Sequence, residues 1–141
     1  MRRSCVLLAD GHPHVLDAVR RLLGGRFETT VMVADETSLL ETAGRVEPDV
    51  VVVDLSLPVS GCGNILNILF GRHPGLKVIV LSVYDETAAI SRALDAGAAG
   101  FVLKRTAAVD LTAAVDEVLR GGTFVSPIKG WRPGVVGGED N

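Results

Sequence analysis

Four polar residues of this 141-residue chain each stand at the end of a short apolar run. They are Asp10, Asp54, Ser82 and Lys104. A pair of carboxylates favours a hard cation such as Mg²⁺, whereas an ammonium and a hydroxyl can hold phosphoryl oxygens by ion pair and hydrogen bond. If the four side chains meet, Asp54 is the candidate nucleophile toward phosphorus and an acyl phosphate is the expected product.

Five apolar runs have the length of β-strands, and stretches with helical spacing lie between them. The runs cover residues 6–9, 27–33, 50–53, 78–81 and 100–103. The run at 50–53 is four consecutive valines without polar alternation, so helices are predicted to cover both faces of the sheet. The sequence therefore predicts an α/β fold with a doubly wound five-stranded parallel sheet and helices on both faces.

The carboxyl ends of the strands in such a sheet lie on one edge, near the point where the strand order reverses. We therefore expect the four polar residues that end the runs to converge on one rim. Three of the four have an ordinary alternative when taken alone. Asp10 is a favoured residue for starting the helix at Pro13, Ser82 suits a turn, and an isolated Lys104 is typical of a solvated surface.

Three further residues carry weaker signals. His12 and His14 are expected to be ordinary surface histidines, because a two-residue step does not put two side chains on one helix face. Phe101 is most simply a core residue, although its place three positions before Lys104 leaves a moving role open.

Composition excludes several classes of function for these residues. The formal net charge of -3 and the pI near 5.5 give no broad basic surface, so direct binding of nucleic acid or of an anionic membrane is not expected. No apolar segment reaches the length of a membrane span, and the apolar run that ends at Asp10 is too short for a signal peptide. A cytoplasmic location is predicted.

The repeated pattern of strand and helix ends near Gly121 and Gly122. We therefore predict one domain over residues 1–122, and a glycine- and proline-rich linker or C-terminal tail over residues 123–141.

Four segments together resemble the receiver domains of two-component response regulators, over about residues 4–127. They are VLLAD at 6–10 followed by His12 and Pro13, DVVVVDLSLP at 49–58, Leu81-Ser82, and DAGAAGFVLK at 95–104. The segment GGTFVSP at 121–127 resembles the end of receivers in the NarL/FixJ branch, whose members commonly continue into a DNA-binding domain.

The resemblance implies a flavodoxin-like sheet with the strand order 2-1-3-4-5, and a signalling switch that is not an enzyme. Asp54 would accept a phosphoryl group from a sensor histidine kinase, and Mg²⁺ would be held by Asp10, Asp54 and the backbone carbonyl of Ser56. Ser82 and Lys104 would contact the phosphoryl group, and Phe101 would turn inward as a second switch residue. The output would be transcriptional control through a domain that these residues do not include, with a homodimer as an open possibility.

The sequence departs from the family pattern at Gly11, where receivers normally carry a second acid that touches the metal. Weaker Mg²⁺ binding is expected, and a pseudo-receiver that switches without phosphate is the main alternative. An aspartyl-phosphate phosphatase of the haloacid dehalogenase type is a weaker alternative, because Ser56 stands where that family needs a second acid. A dinucleotide-binding fold is weaker still, because no glycine-rich phosphate loop follows the first run.

Overall fold

A parallel sheet forms the centre of the computed structural model, which describes residues 4–61, 63–128 and 130–131. The described strands are β1 (Cys5–Ala9), β2 (Thr29–Val33), β3 (Val50–Asp54), β4 (Val78–Ser82), β5 (Gly100–Leu103) and β6 (Phe124–Val125). Their order in the sheet is β2-β1-β3-β4-β5-β6, and every neighbouring pair is parallel. The predicted order 2-1-3-4-5 is confirmed, and a sixth strand extends it beyond β5.

Five α-helices connect the strands, and their ends follow from local chemistry. They are α1 (Pro13–Leu22), α2 (Glu36–Val46), α3 (Ile65–Arg72), α4 (Thr87–Ala96) and α5 (Ala107–Leu119). Pro13 opens α1, where its missing N–H would have no partner in any case. Gly97 ends α4 with a φ of 119°, a left-handed conformation that glycine adopts without strain. Among the described residues, no helix is long and apolar enough to cross a membrane.

Asp35 caps the start of α2. Its carboxylate accepts a hydrogen bond from the backbone N–H of Ser38 at 2.8 Å. This backbone hydrogen bond favours the charged form and lowers the pKa of the Asp35 carboxyl below its ordinary value.

The hydrophobic core is divided by the sheet into two layers. Leu7 and Val51 point to the layer that α2, α3 and α4 cover, whereas their neighbours Val6 and Val50 point to the layer that α1 and α5 cover. This alternation along buried strands explains why the valine run shows no polar period, because both of its faces are inside. The predicted helical cover on both faces is confirmed.

Strand β6 lies in the segment that the sequence analysis assigned to a linker or tail from residue 123. The N–H of Ser126 donates to the carbonyl of Phe101 at 2.8 Å, and the buried Ser126 hydroxyl donates to Asp110 at 2.7 Å. The count of five strands was therefore one short, because a two-residue strand beside glycines and a proline is too brief to show a period. The remaining tail residues, 129 and 132–141, lie outside the described residues.

The second strand also begins later than predicted. The sequence pattern placed its start at Phe27, but β2 begins at Thr29. Phe27 is buried in the layer under α1 and α5, so its apolar character reflects core packing ahead of the strand.

Candidate functional site

The parallel register brings the ends of four strands to one edge of the sheet. Asp10 directly follows β1, Asp54 and Ser82 are the last residues of β3 and β4, and Lys104 begins a 3-10 turn directly after β5. Asp54 pairs with Leu81, so Ser82 lies one residue beyond Asp54 at the same edge of the sheet. The arrangement expected from the strand-end rule is the one observed.

Lys104 joins the two carboxylates at this edge. Its Nζ lies 3.1 Å from Oδ2 of Asp10 and 3.4 Å from Oδ2 of Asp54. Both aspartates are almost fully buried, whereas 19% of the Lys104 side chain is exposed. Buried carboxylates need a cation because transfer out of water is costly, so Lys104 is part of the site and not a solvated surface lysine.

The two carboxylate oxygens of Asp10 have different surroundings. Oδ1 accepts a hydrogen bond from the backbone N–H of His12 at 2.9 Å, and Nδ1 of the His12 ring also lies 2.9 Å away. Oδ2 is buried beside the Lys104 ammonium and has no hydrogen-bond partner among the described residues. Asp10 therefore shapes the turn into α1 through one oxygen and presents the other to the site. The N-cap of α1 is His12, not Asp10.

The two carboxylate oxygens of Asp54 also have different surroundings. Its Oδ1 accepts hydrogen bonds from the backbone N–H of Ser56 at 3.0 Å and from the Ser56 hydroxyl at 2.8 Å. Its Oδ2 faces Lys104, so the lone pairs of Oδ2 are the more available for attack. The Ser56 hydroxyl was missed by the sequence analysis, although a serine two residues after an aspartate is a common signal for this kind of turn.

Ser82 lies at the edge, and its hydroxyl is engaged with the next loop. The hydroxyl accepts a hydrogen bond from the N–H of Tyr84 at 2.8 Å and donates to the carbonyl of Tyr84 at 3.1 Å. This is the turn role considered as the ordinary alternative for Ser82. The structure thus joins Asp10, Asp54 and Lys104 by direct contact and leaves the Ser82 hydroxyl on its own loop.

Phe101 is a core residue in this structure. It lies on β5 between Val80 of β4 and Val125 of β6, and its ring is fully buried in the layer under α2, α3 and α4. The Phe101 ring therefore already points inward in this structure.

His12 was underestimated by the sequence analysis. A two-residue step separates two side chains on a helix only when both residues are helical. His12 is instead the extended N-cap residue of α1. Its side chain is 60% exposed, as expected for a surface histidine, yet its ring contacts Asp10. The position directly before Pro13 was the available signal, because a proline at the first helical position leaves its predecessor in the turn.

The site fits a divalent cation. One ligand atom from each of Asp10, His12 and Asp54 can be chosen so that all three lie within 4.8 Å of one another. The buried Oδ2 of Asp10 contacts the Lys104 ammonium at 3.1 Å and faces the same place as Oδ2 of Asp54. Carboxylates are preferred ligands of Mg²⁺. The contribution of the Ser56 carbonyl stays a prediction.

Comparison with known proteins agrees with the fold. A family model described as Response regulator receiver domain matches residues 6–116. The transcriptional regulatory protein DegU of Brevibacillus brevis is 30% identical over 124 residues, which cover 86% of this chain and 52% of DegU. RcsB of Escherichia coli K12 is 32% identical over 135 residues, which cover 88% of this chain and 60% of RcsB.

Solved structures show the same similarity. The non-phosphorylated receiver domain of E. coli RcsB aligns with a TM-score of 0.77 and 30% identity, covering 89% of this chain and all of that domain. A LuxR-family response regulator from Aurantimonas sp. SI85-9A1 aligns with a TM-score of 0.79 and 28% identity, covering 89% and 91% of the two chains. The chain therefore belongs to the receiver domains of two-component response regulators, and the predicted branch is confirmed. It spans between 52% and 60% of these two curated relatives.

Gly11 offers a direct test of the metal site. Its φ is not in the left-handed region, and an added Cβ would meet only the carbonyl oxygen of Ala34, at an ordinary 3.8 Å. Gly11→Asp is therefore expected to fold and to tighten Mg²⁺ binding at least ~10-fold, because a carboxylate about 4 Å from a divalent ion adds several kcal/mol of attraction before desolvation. Isothermal titration with Mg²⁺ measures the change.

The matched control is Gly75→Asp, which adds the same charge before β4, at the opposite edge of the sheet. It is expected to leave Mg²⁺ affinity unchanged. If a folded Gly11→Asp protein titrated like the parent, Gly11 would not mark a depleted metal site.

Proposed function

We propose that this chain is a phosphorylation-dependent switch in which Asp54 accepts a phosphoryl group from a sensor histidine kinase. The observation that carries the proposal is the nearly buried Asp54 carboxylate, held by Ser56 on one oxygen and facing the Lys104 ammonium with the other. The proposed receiver is residues 1–122 together with β6, which completes its sheet, and the residues after β6 are the proposed connection to an output domain.

The transfer is proposed to take place in line, to Oδ2 of Asp54. A lone pair of this oxygen attacks phosphorus, the P–N bond of the kinase phosphohistidine breaks, and its electron pair stays on the imidazole nitrogen. Lys104, 3.4 Å from the attacking oxygen, is placed to hold a phosphoryl oxygen after transfer. A bound divalent cation would neutralise phosphoryl charge beside Asp10 and Asp54.

The switch itself is proposed to start at Ser82. Its hydroxyl has to release the backbone of Tyr84 before it can turn toward a phosphoryl oxygen, and Tyr84 belongs to the exposed loop that leads into α4. Release of this loop changes a surface groove lined by Tyr84, Glu86 and Arg92. Because Phe101 is already buried, its proposed part is limited to repacking within the core. The result is a two-state equilibrium biased by one charged group.

The proposed output is transcriptional control, through a second domain. One RcsB structure is described as an RcsB–DNA complex and another as two RcsB dimers bound to two parallel DNAs. By analogy we propose that this protein also works as a homodimer in the cytoplasm and as a signalling module, not an enzyme. Direct contact of the present segment with nucleic acid is not part of the proposal, because its net charge is -3.

A pseudo-receiver remains the second candidate, and one observation favours it. Gly11 replaces a metal-binding acid, while the Lys104 ammonium already lies between the two remaining carboxylates. A site of this kind would bind Mg²⁺ weakly and accept phosphate poorly, so the module would switch without phosphate.

The test follows the amide of Tyr84 before and after treatment with acetyl phosphate and a divalent cation. Intact mass should show the addition of one phosphoryl group, and hydrogen exchange of the Tyr84 amide should become faster when Ser82 leaves it. In Ser82→Ala that amide should exchange fast already, and phosphorylation should no longer change it, whereas Asp54 is still labelled. Absence of any labelling over a wide range of cation concentration would favour the pseudo-receiver.

A further inference from the structure

The donor atoms at this site do not have the chemistry of an all-oxygen magnesium site. Asp10 and Asp54 supply carboxylates, but the third group is the imidazole of His12, and Gly11 supplies no ligand. We propose that His12 is a metal ligand and that the site selects a divalent first-row transition cation, such as Mn²⁺, Co²⁺ or Zn²⁺, over Mg²⁺.

The spacing of the donors supports this assignment. Ligand atoms about 2.1 Å from one ion lie about 3 to 4 Å apart, and the three groups here offer atoms within 4.8 Å of one another. A shift of about an ångström is therefore enough to bring the three ligand atoms to coordination distance of one ion. The exposed His12 side chain can make that shift, whereas the two aspartates are buried and held in place.

A second observation independently points to a cation. Oδ2 of Asp10 is buried at the site, and the Lys104 ammonium lies 3.1 Å from it. This ammonium also lies 3.4 Å from Asp54, so it occupies the place between the carboxylates that a metal ion would take. With two carboxylates and one ammonium the site has a net charge of about -1, which a divalent cation reverses.

The His12 ring is not needed for helix capping. His12 is the N-cap residue of α1, but its side chain makes no cap hydrogen bond. Its contact with Oδ1 of Asp10 instead holds the ring beside the two carboxylates. A carboxylate next to a ligating histidine is a common way to orient the imidazole.

The absence of an acid at position 11, with the imidazole of His12 beside it, changes which cation is favoured. Mg²⁺ requires oxygen ligands and gains mainly from charge, which is reduced by the loss of an acid at position 11. Imidazole nitrogen suits the later divalent metals, whose affinity for nitrogen ligands rises from Mn²⁺ toward Cu²⁺. Gly11 and His12 together therefore shift the preference of the site away from Mg²⁺ and toward divalent transition metals.

This proposal deepens the proposed function, since it names the cation class of the same site, but it does not require phosphoryl transfer. The test therefore uses the whole chain without a phosphodonor. Co²⁺ is the probe, followed by its visible absorption and by paramagnetically shifted imidazole signals in NMR spectra, and Mg²⁺ is added as competitor. If the protein fails to be phosphorylated but binds Co²⁺ through His12, only the proposed function is overturned.

The expected result has three parts. The parent should bind Co²⁺ at least ~10-fold more tightly than Mg²⁺, and His12→Ala should weaken Co²⁺ at least ~10-fold while changing Mg²⁺ less than about threefold. His14→Ala is the matched control, because the two rings lie 5.8 Å apart, and it should change neither affinity. His12→Asp should tighten Mg²⁺ relative to Co²⁺.

Two results would overturn the proposal. The first is a His12→Ala protein that binds Co²⁺ like the parent, or a His14→Ala protein that loses the same affinity, which indicates adventitious binding by surface histidines. The second is a parent protein whose spectrum shows no paramagnetically shifted imidazole signal when Co²⁺ is bound. The second result is read on the unaltered protein, so it holds even if a His12 variant does not fold.

Discussion

Asp54→Asn is expected to lower the rate of phosphoryl labelling by acetyl phosphate at least ~100-fold, which corresponds to about 2.7 kcal/mol or more. The amide lacks the anionic oxygen that attacks phosphorus, so the rate of the chemical step itself is lowered. The amide oxygen can still accept both hydrogen bonds from Ser56, and the side chain keeps its volume. The fold should therefore be retained, and intact mass over time measures the loss.

Asp95→Asn is the matched control for this substitution. Asp95 is exposed on α4, so its conversion removes the same charge away from the site. It should be labelled at the parental rate. Labelling of the Asp54→Asn protein at the parental rate would show that another residue is the acceptor.

Phe101→Ala is expected to lower the free energy of unfolding by about 3 to 5 kcal/mol, the range for truncation of a fully buried phenylalanine. The ring lies inside the layer under α2, α3 and α4, between strands β4 and β6, so its loss opens a cavity that neighbouring strands cannot readily close. Urea unfolding followed by circular dichroism measures the change.

Tyr84→Ala provides the comparison, because Tyr84 is about half exposed and its two hydrogen bonds to Ser82 are made by the backbone. Its cost should stay below ~1 kcal/mol. A loss below ~1 kcal/mol for Phe101→Ala as well would mean that the ring is not part of the packed resting core, and that Phe101 moves more freely than proposed.

The main features of the sheet could be predicted because its four central strands, β1, β3, β4 and β5, are buried on both faces. Four consecutive valines in β3 cannot form a half-exposed strand, so the covering helices followed from the sequence. The strand-end rule then located Asp10, Asp54, Ser82 and Lys104, since parallel strands place their carboxyl ends on one edge. The short β6 could not be found in the same way, because two residues have no period and its contacts are long-range bonds to Phe101 and Asp110.

The details of the site depend on side-chain directions that the sequence does not show. His12 was judged by the geometry of a helix interior, whereas it occupies the N-cap, and this changes where its ring points. The Ser82 hydroxyl had two plausible partners, and only the folded loop shows that it binds the Tyr84 backbone. The contacts of Lys104 with both carboxylates likewise depend on the turn after β5.

The most direct measurement of the central claim is chemical localisation of the phosphoryl group. After treatment with acetyl phosphate and a divalent cation, borohydride reduces an aspartyl phosphate to homoserine, and peptide mass spectrometry then identifies the converted position. We expect homoserine at residue 54 only. Every other aspartate, including Asp10, should remain aspartate. Conversion at another aspartate, or a phosphoryl group that is present but stable to borohydride, would contradict the assignment of Asp54 as the acceptor.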